Sequence, residues 1–214
     1  MAYAAFNPTM TPLSDHLGVE VEGIDLTKVT TQEQFQQIRD LFDTHSALLF
    51  RNQALTEDVH IRLSSFFGPI EDRMADERKA GETFKVPEVS NVRADGTVSE
   101  DMDLHTLNLK SNFLWHSDST FLPTPALVNV ITARILPTSG GATELASTRA
   151  GWAAMPEEMK ARIKGRGIWH RYSHSRKKIS EELSKLPMFH KWPCLLYTSP
   201  SPRDQRGSRM PCCA

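Results

Sequence analysis

The sequence predicts an α+β domain, a sandwich or barrel of short strands with helices packed outside. Three observations carry this. Apolar residues recur at helical spacing before residue 66, short apolar runs of strand length follow from Val89 to Ala146, and Gly- or Pro-containing turns separate those runs.

The start of the chain, to about Asp25, reads as extended pieces with turns at Gly18 and Gly23. Thr30 with Glu33 forms a capping-box pattern, and Phe35, Ile38 and Phe42 follow on one face, so the spacing predicts a helix over 31–44. Ala47-Leu48-Leu49-Phe50 is a short apolar strand. Thr56 caps a second helix that carries Val59, Leu63 and Phe66 on one face and ends at Gly68-Pro69. From Arg73 to Glu88 the chain is charged and unpatterned, as a mobile loop would be. Val89 to Val92 reads as a strand, Ala94-Asp95-Gly96-Thr97 as a turn, and 100–111 as a polar loop. Phe113 to Asp118, Leu127 to Leu136 and Ala142 to Ala146 read as strands, the last two joined by the turn Pro137-Thr138-Ser139-Gly140-Gly141. Pro156 opens a helix with Met159 and Ile163 on one face, stopped by Gly165.

With 214 residues, 39% of them hydrophobic, the chain can bury one real core. The balance of 25 basic against 26 acidic residues argues against an electrostatic nucleic-acid or polyanion binder. No apolar run approaches the length of a membrane-spanning helix, and MAYAAFNPTMTPLSD lacks the parts of a secretory signal. The reading therefore expects a soluble cytoplasmic protein with no nucleic-acid and no membrane partner.

All three cysteines, Cys194, Cys212 and Cys213, fall in a final segment, CLLYTSPSPRDQRGSRMPCCA, that turns abruptly to Pro, Ser, Arg and Cys. Cys194 to Asp204 resembles one translated frame of a transposase-type sequencing adaptor, and Ser208 to Pro211 the frame of its far end. Residues 194–214 are therefore expected to be a non-native tail, and 1–193 the usable body. Setting the tail aside removes three Arg and one Asp, leaving 22 basic and 25 acidic residues. The body stops at Trp192-Pro193 for no structural reason, so the natural protein is expected to continue. A body without cysteine excludes disulfides and Cys-ligated zinc.

The residues worth most chemically are His116 and Asp118 in LWHSDSTF. On a strand, residues i and i+2 point to the same face, so an imidazole and a carboxylate can meet one metal ion. A third His would complete a facial triad, the arrangement that leaves positions open on Fe(II) for a chelating co-substrate and O₂. Taken alone the pattern is weak, and a polar pair on a surface strand is the bland alternative.

Residues 13–193 resemble the taurine/2,4-dichlorophenoxyacetate dioxygenase (TauD/TfdA) family of Fe(II)- and 2-oxoglutarate-dependent oxygenases. The resemblance is carried by ALLFRNQALT at 47–56, FFGPIE at 66–71, VSNVRADGTV at 89–98, NFLWHSDSTF at 112–121 and PTSGGATEL at 137–145. VSNV with the following DG, and LWHSDS, tilt it toward the 2,4-dichlorophenoxyacetate branch. It implies a double-stranded β-helix (a jelly roll, clavaminate synthase-like) with flanking helices and its later strands missing through truncation. It further implies Fe(II), 2-oxoglutarate and O₂ as the reacting set. A small organic anion, an aryloxyalkanoate before a sulfonate, would be hydroxylated with release of succinate and CO₂, and the truncated chain would be inactive.

Carried over by position, the resemblance makes His116 and Asp118 two of three iron ligands. Thr143 would bond the distal carboxylate of 2-oxoglutarate, and Gly140-Gly141 would let the turn pass close without a Cβ in the way. Asn112 matches a substrate contact, with a strand-start Asn as the alternative. His170 is a candidate pocket-facing substrate contact. The distal His ligand and the 2-oxoglutarate-clamping Arg are missing from this chain.

His170, His174 and His190 come too early to supply that ligand, and there is no H-E-x-x-H. His16, His45, His60 and His105 read as surface or loop residues. Arg73 and Arg78 read as a solvated charge run, with an anionic substrate as the other possibility. Two further classes stay open. One is a non-catalytic cupin-like binding or sensor protein; the other is a zinc hydrolase built on His170 and His174. A homo-oligomer of the intact parent stays open as well.

Overall fold

The computed structural model describes residues 6–93 and 95–198, arranged as two compact units. The first holds residues 6–86 and 128–155; the second holds 87–127 and 156–198.

In the first unit a small sheet lies beside two helices. Strand β1 (Thr9–Pro12) pairs antiparallel with β2 (Val19–Glu22), and β2 pairs parallel with β3 (Leu48–Leu49). Val19 and Val21 alternate with Glu20 and Glu22, so one face of β2 is buried and the other reaches water. Gly18 has φ +81 at the turn into β2, and its amide donates to the His45 carbonyl at 3.1 Å. Against the buried face pack α1 (Gln32–His45), through Phe35 and Ile38, and α2 (Glu57–Ser65), through Leu63. The Phe35 ring meets Phe67 edge-on at 4.7 Å and Phe66 at 5.2 Å. A core aromatic of this kind is worth about 3–5 kcal/mol against truncation to Ala. Arg62 of α2 donates to the carbonyls of Val29 and Thr27 at 3.1 and 3.0 Å, closing the short turn Leu26–Lys28 over the core.

The capping box of α1 lies one residue later than the sequence suggests. Thr31, rather than Thr30, accepts from the Gln34 amide, and Gln34 Oε1 reaches back to the Thr31 amide. Gln34 wins because its side chain also takes the Thr30 amide at 2.8 Å. The helix ends at Ser46, whose φ of 67 supplies the left-handed cap more often given to glycine. Thr56 caps α2 as expected.

The expected sheet strands 113–118, 127–136 and 142–146 do not pair, and 89–92 contributes one isolated bridge, Val92 to Val98. Ala94 of the expected turn lies outside the described residues, but the Arg93 amide still bonds the Thr97 carbonyl across it at 2.8 Å. A strand is defined by its ladder, and no partner for these runs stands among the described residues; no closed jelly roll forms there. Side chains hold the stretch 128–136 instead. His60 Nε2 donates to the Val130 carbonyl, and Arg134 to the Leu55 carbonyl, both at 2.8 Å. His60 is therefore buried, not on the surface as its isolated position implies. Ile131 and Ile135 remain 79% and 87% exposed.

In the second unit the expected loop 100–111 contains a helix, α3 (Leu104–Lys110). A short helix of the first unit, α4 (Thr148–Ala154), precedes α5 (Glu157–Ile163), which opens after Pro156 as expected. Strand β4 (Gly167–His170) leads to α6 (Tyr172–Lys177) and α7 (Glu181–Ser184), packed around Leu183 and Phe189. Leu195–Thr198, the first part of the expected non-native tail, forms β5 and pairs antiparallel with β4. Ladder bonds use only backbone groups, so an open strand edge accepts any extended β-prone run. Residues 199–214 lie outside the described residues. Among the described residues no helix is long and apolar enough to cross a membrane.

The cap assignment is directly testable. Thr31→Ala should cost about 1 kcal/mol, the usual worth of an N-cap side chain. Thr30→Ala should cost less than half as much, read from urea unfolding midpoints of the two variants.

Candidate metal centre

His116 and Asp118 follow a single 3-10 turn (Ser111–Phe113) in the second unit, on an extended stretch rather than a paired strand. The i, i+2 relation still places both side chains on one side. Ser119, with φ 61, then turns the chain sharply, and its carbonyl accepts from the Leu122 amide at 2.9 Å. The next apolar residue, Phe121, is buried. The His116 and Asp118 side chains thus stand between a turn and a buried anchor.

His116 Nδ1 donates to the Leu114 carbonyl at 2.6 Å, which fixes the tautomer and leaves the Nε2 lone pair free. Nε2 lies 3.2 Å from Asp118 Oδ1. Both atoms are then acceptors, and only a cation between them makes the approach favourable, a proton or a metal ion. Two ligand atoms about 2.1 Å from one octahedral ion, at right angles, stand about 3.0 Å apart. The pair fits a divalent metal. It is open to water, with side chains 41% and 54% exposed. Among the described residues no third His, Cys, Asp or Glu joins it.

Asn112 sits in the 3-10 turn of the same unit, exposed. His170 closes β4 with a half-buried ring, and burial pulls its pKa below the ordinary imidazole value. His174 lies on α6 and is exposed, and His190 Nε2 donates to the Ser184 carbonyl at 2.8 Å. A carbonyl only accepts, so that Nε2 carries the proton and is not a metal donor. Among the described residues neither His170 nor His174 belongs to a group of three or more His, Cys, Asp or Glu side chains. Thr143 belongs to the first unit, exposed on the stretch after Gly140 and Gly141. Those two glycines have φ of 70 and 69, and a Cβ on Gly141 would stand 3.0 Å from the Pro137 ring. The turn itself needs both of them.

Arg73, exposed with most of the run around it, pairs with Glu71 at 3.2 Å, and half-buried Arg78 pairs with Asp72 at 2.7 Å while resting over the Phe84 ring.

The family described as "Taurine catabolism dioxygenase TauD, TfdA family" matches residues 9–207. The chain belongs to this family. The alpha-ketoglutarate-dependent 2,4-dichlorophenoxyacetate dioxygenase of Cupriavidus pinatubonensis is 33% identical over 168 residues, 77% of this chain and 58% of that protein. The (S)-phenoxypropionate/alpha-ketoglutarate-dioxygenase of Sphingobium herbicidovorans is 31% identical over 173 residues, 80% of this chain and 56% of that protein. The chain thus spans little more than half the length of these relatives. Among solved structures, AAD-2 in complex with Mn(II) and N-oxalylglycine superposes with a TM-score of 0.76 at 26% identity, covering 92% of this chain and 68% of that one. The TauD-like fold is therefore shared, with helices around small sheets.

The depressed pKa of His170 gives a signed pH effect. The unfolded chain takes up a proton on this ring at higher pH than the folded chain does, so the stability of the neutral buried ring is present above the unfolded pKa. It is lost as pH falls through the folded value. Urea midpoints measured downward from pH 7 should fall more steeply for the unmodified chain than for His170→Asn.

Proposed function

We propose that residues 1–193 are the N-terminal part of an Fe(II)- and 2-oxoglutarate-dependent dioxygenase domain that hydroxylates a small organic anion, aryloxyalkanoate-like before sulfonate. In this reading residues 194–214 are a non-native tail, and the domain closes as a double-stranded β-helix with strands this chain lacks. The observation that carries it is the His116–Asp118 pair, two acceptors 3.2 Å apart with the imidazole tautomer fixed for metal binding.

When bound together, iron, 2-oxoglutarate and O₂ supply the oxidising power that places a hydroxyl on a substrate C–H bond, with release of succinate and CO₂. The chain's own residues prepare for this. His116 offers Nε2 as a neutral ligand, and Asp118 supplies a negative charge that raises affinity for a divalent ion. Thr143 is the residue assigned to the distal carboxylate of 2-oxoglutarate, with its hydroxyl as donor. Asn112 and His170 are assigned to the substrate, Asn112 as an amide donor and His170 as a half-buried ring that stays neutral near pH 7. An aryloxyacetate hydroxylated beside its ether oxygen gives a hemiacetal, which splits to a phenol and glyoxylate. The names of the two relatives, both dioxygenases of phenoxyalkanoates, support this substrate class over taurine.

The test is succinate formation by a chain extended to the length of the relatives, supplied with Fe(II), 2-oxoglutarate and a panel of phenoxyacetates, taurine and fatty acids. Phenoxyacetates should stimulate it, and Asp118→Ala should abolish it. Thr143→Ala should mainly raise the 2-oxoglutarate requirement, since one hydrogen bond to a charged group is worth about 1.5–3 kcal/mol. Normal turnover in Asp118→Ala would remove the metal assignment, and stimulation by taurine alone would overturn the substrate class. Residues 1–193 alone should form no succinate.

A further inference from the structure

We propose that Arg176 is a specificity-determining residue that takes the carboxylate of the organic-anion substrate; this rests on the dioxygenase reading above and names the group that would select an anion. Arg176 and Tyr172 are one turn apart on α6. The guanidinium lies over the Tyr172 ring at 4.6 Å from its centroid and 5.4 Å from that of Phe189. Its Nη2 donates to the Tyr172 hydroxyl at 3.1 Å and its Nη1 to Ser175 Oγ at 3.2 Å. Both acceptors are neutral. Nε is buried and meets no acceptor among the described residues.

A permanent cation, half-buried against aromatic faces and bonded only to hydroxyls, is short of one negative partner. Of the other half-buried arginines, Arg39 has Asp43 and Arg78 has Asp72, while Arg62 spends its N–H groups on two backbone carbonyls. A guanidinium whose plane is fixed by stacking presents its remaining N–H groups in the fork that matches a carboxylate. Its place in the unit also suits the chemistry. The Tyr172 ring lies flat on Phe121 at 4.1 Å with 3° between the planes, and Phe121 is the buried residue three positions after Asp118. Trp192 and Phe189 complete the aromatic cluster. An aryloxyalkanoate joins an aromatic ring to one carboxylate, and this cluster joins aromatic faces to one unbalanced cation.

The experiment compares phenoxyacetate with its neutral analogue 2-phenoxyethanol, by calorimetric titration of the 214-residue chain and its variants. The unmodified chain should bind phenoxyacetate at least about tenfold more tightly than phenoxyethanol. Arg176→Gln should erase that preference while leaving phenoxyethanol affinity and the circular dichroism spectrum in place. Arg176→Lys, which keeps the charge but not the planar fork, should retain only part of it, and this variant decides the matter should the Gln variant lose its fold. An Arg176→Gln or Arg176→Lys chain that keeps the whole preference would overturn the proposal, as would an unmodified chain that does not discriminate. A lack of Fe(II)-dependent succinate formation in the extended chain would instead sink the dioxygenase reading, whatever Arg176 does in these titrations.

Discussion

The hydrogen bond from His116 Nδ1 to the Leu114 carbonyl is the contact on which the proposed metal site depends. Without it, either ring nitrogen could carry the proton, and the ring could turn about its χ angles. With it, Nδ1 becomes a committed donor and Nε2 is left to face Asp118, across a proton or a metal ion. The bond costs the protein little, since both groups lie two residues apart on the same extended stretch. What fixes that stretch is local as well: the 3-10 turn before it, the left-handed Ser119 after it and the buried ring of Phe121. A metal-ready pair can therefore be set by about ten consecutive residues.

The first unit shows how much of a fold survives when ladder partners are few. Its core is complete around Val21, Val29 and Phe35, because the amphipathic faces of α1 and α2 meet the buried face of β2 directly. The stretch 128–136 keeps its position through two long side chains, His60 and Arg134, reaching its backbone or returning from it. Its outward apolar residues gain nothing from this, and Ile131 and Ile135 stay in water. Side-chain clamps satisfy polar groups; burying an apolar row takes another layer.

What was legible in the sequence was whatever a short window decides. Helices α1 and α2, the Thr56 cap and the helix after Pro156 follow from periodicity and punctuation within a dozen residues. The closeness of His116 and Asp118 was legible for the same reason, as i and i+2 in one extended run. The expected strands at 113–118, 127–136 and 142–146 failed because pairing is a long-range property that propensity does not carry. His60 was missed although a signal existed: it shares a helix face with Leu63, so its burial followed from the same spacing. Arg176 had no signal at all, since its stacking on Tyr172 and Phe189 depends on how α6 and the turn at Pro187–Phe189 come together.

The openness of the His116–Asp118 pair has a practical side. As ligands in the proposed site, two side chains on an exposed stretch would impose neither a full coordination geometry nor a barrier to exchange, and would exert almost no choice among first-row ions. Occupancy then follows the intrinsic order of affinities, in which nickel and copper stand above iron. A preparation passed over immobilised nickel would leave the column carrying the wrong ion, and air would remove Fe(II) from solution before it could compete. Loading the proposed site with iron would thus be decided by handling, by anaerobic addition after chelation, more than by these two side chains.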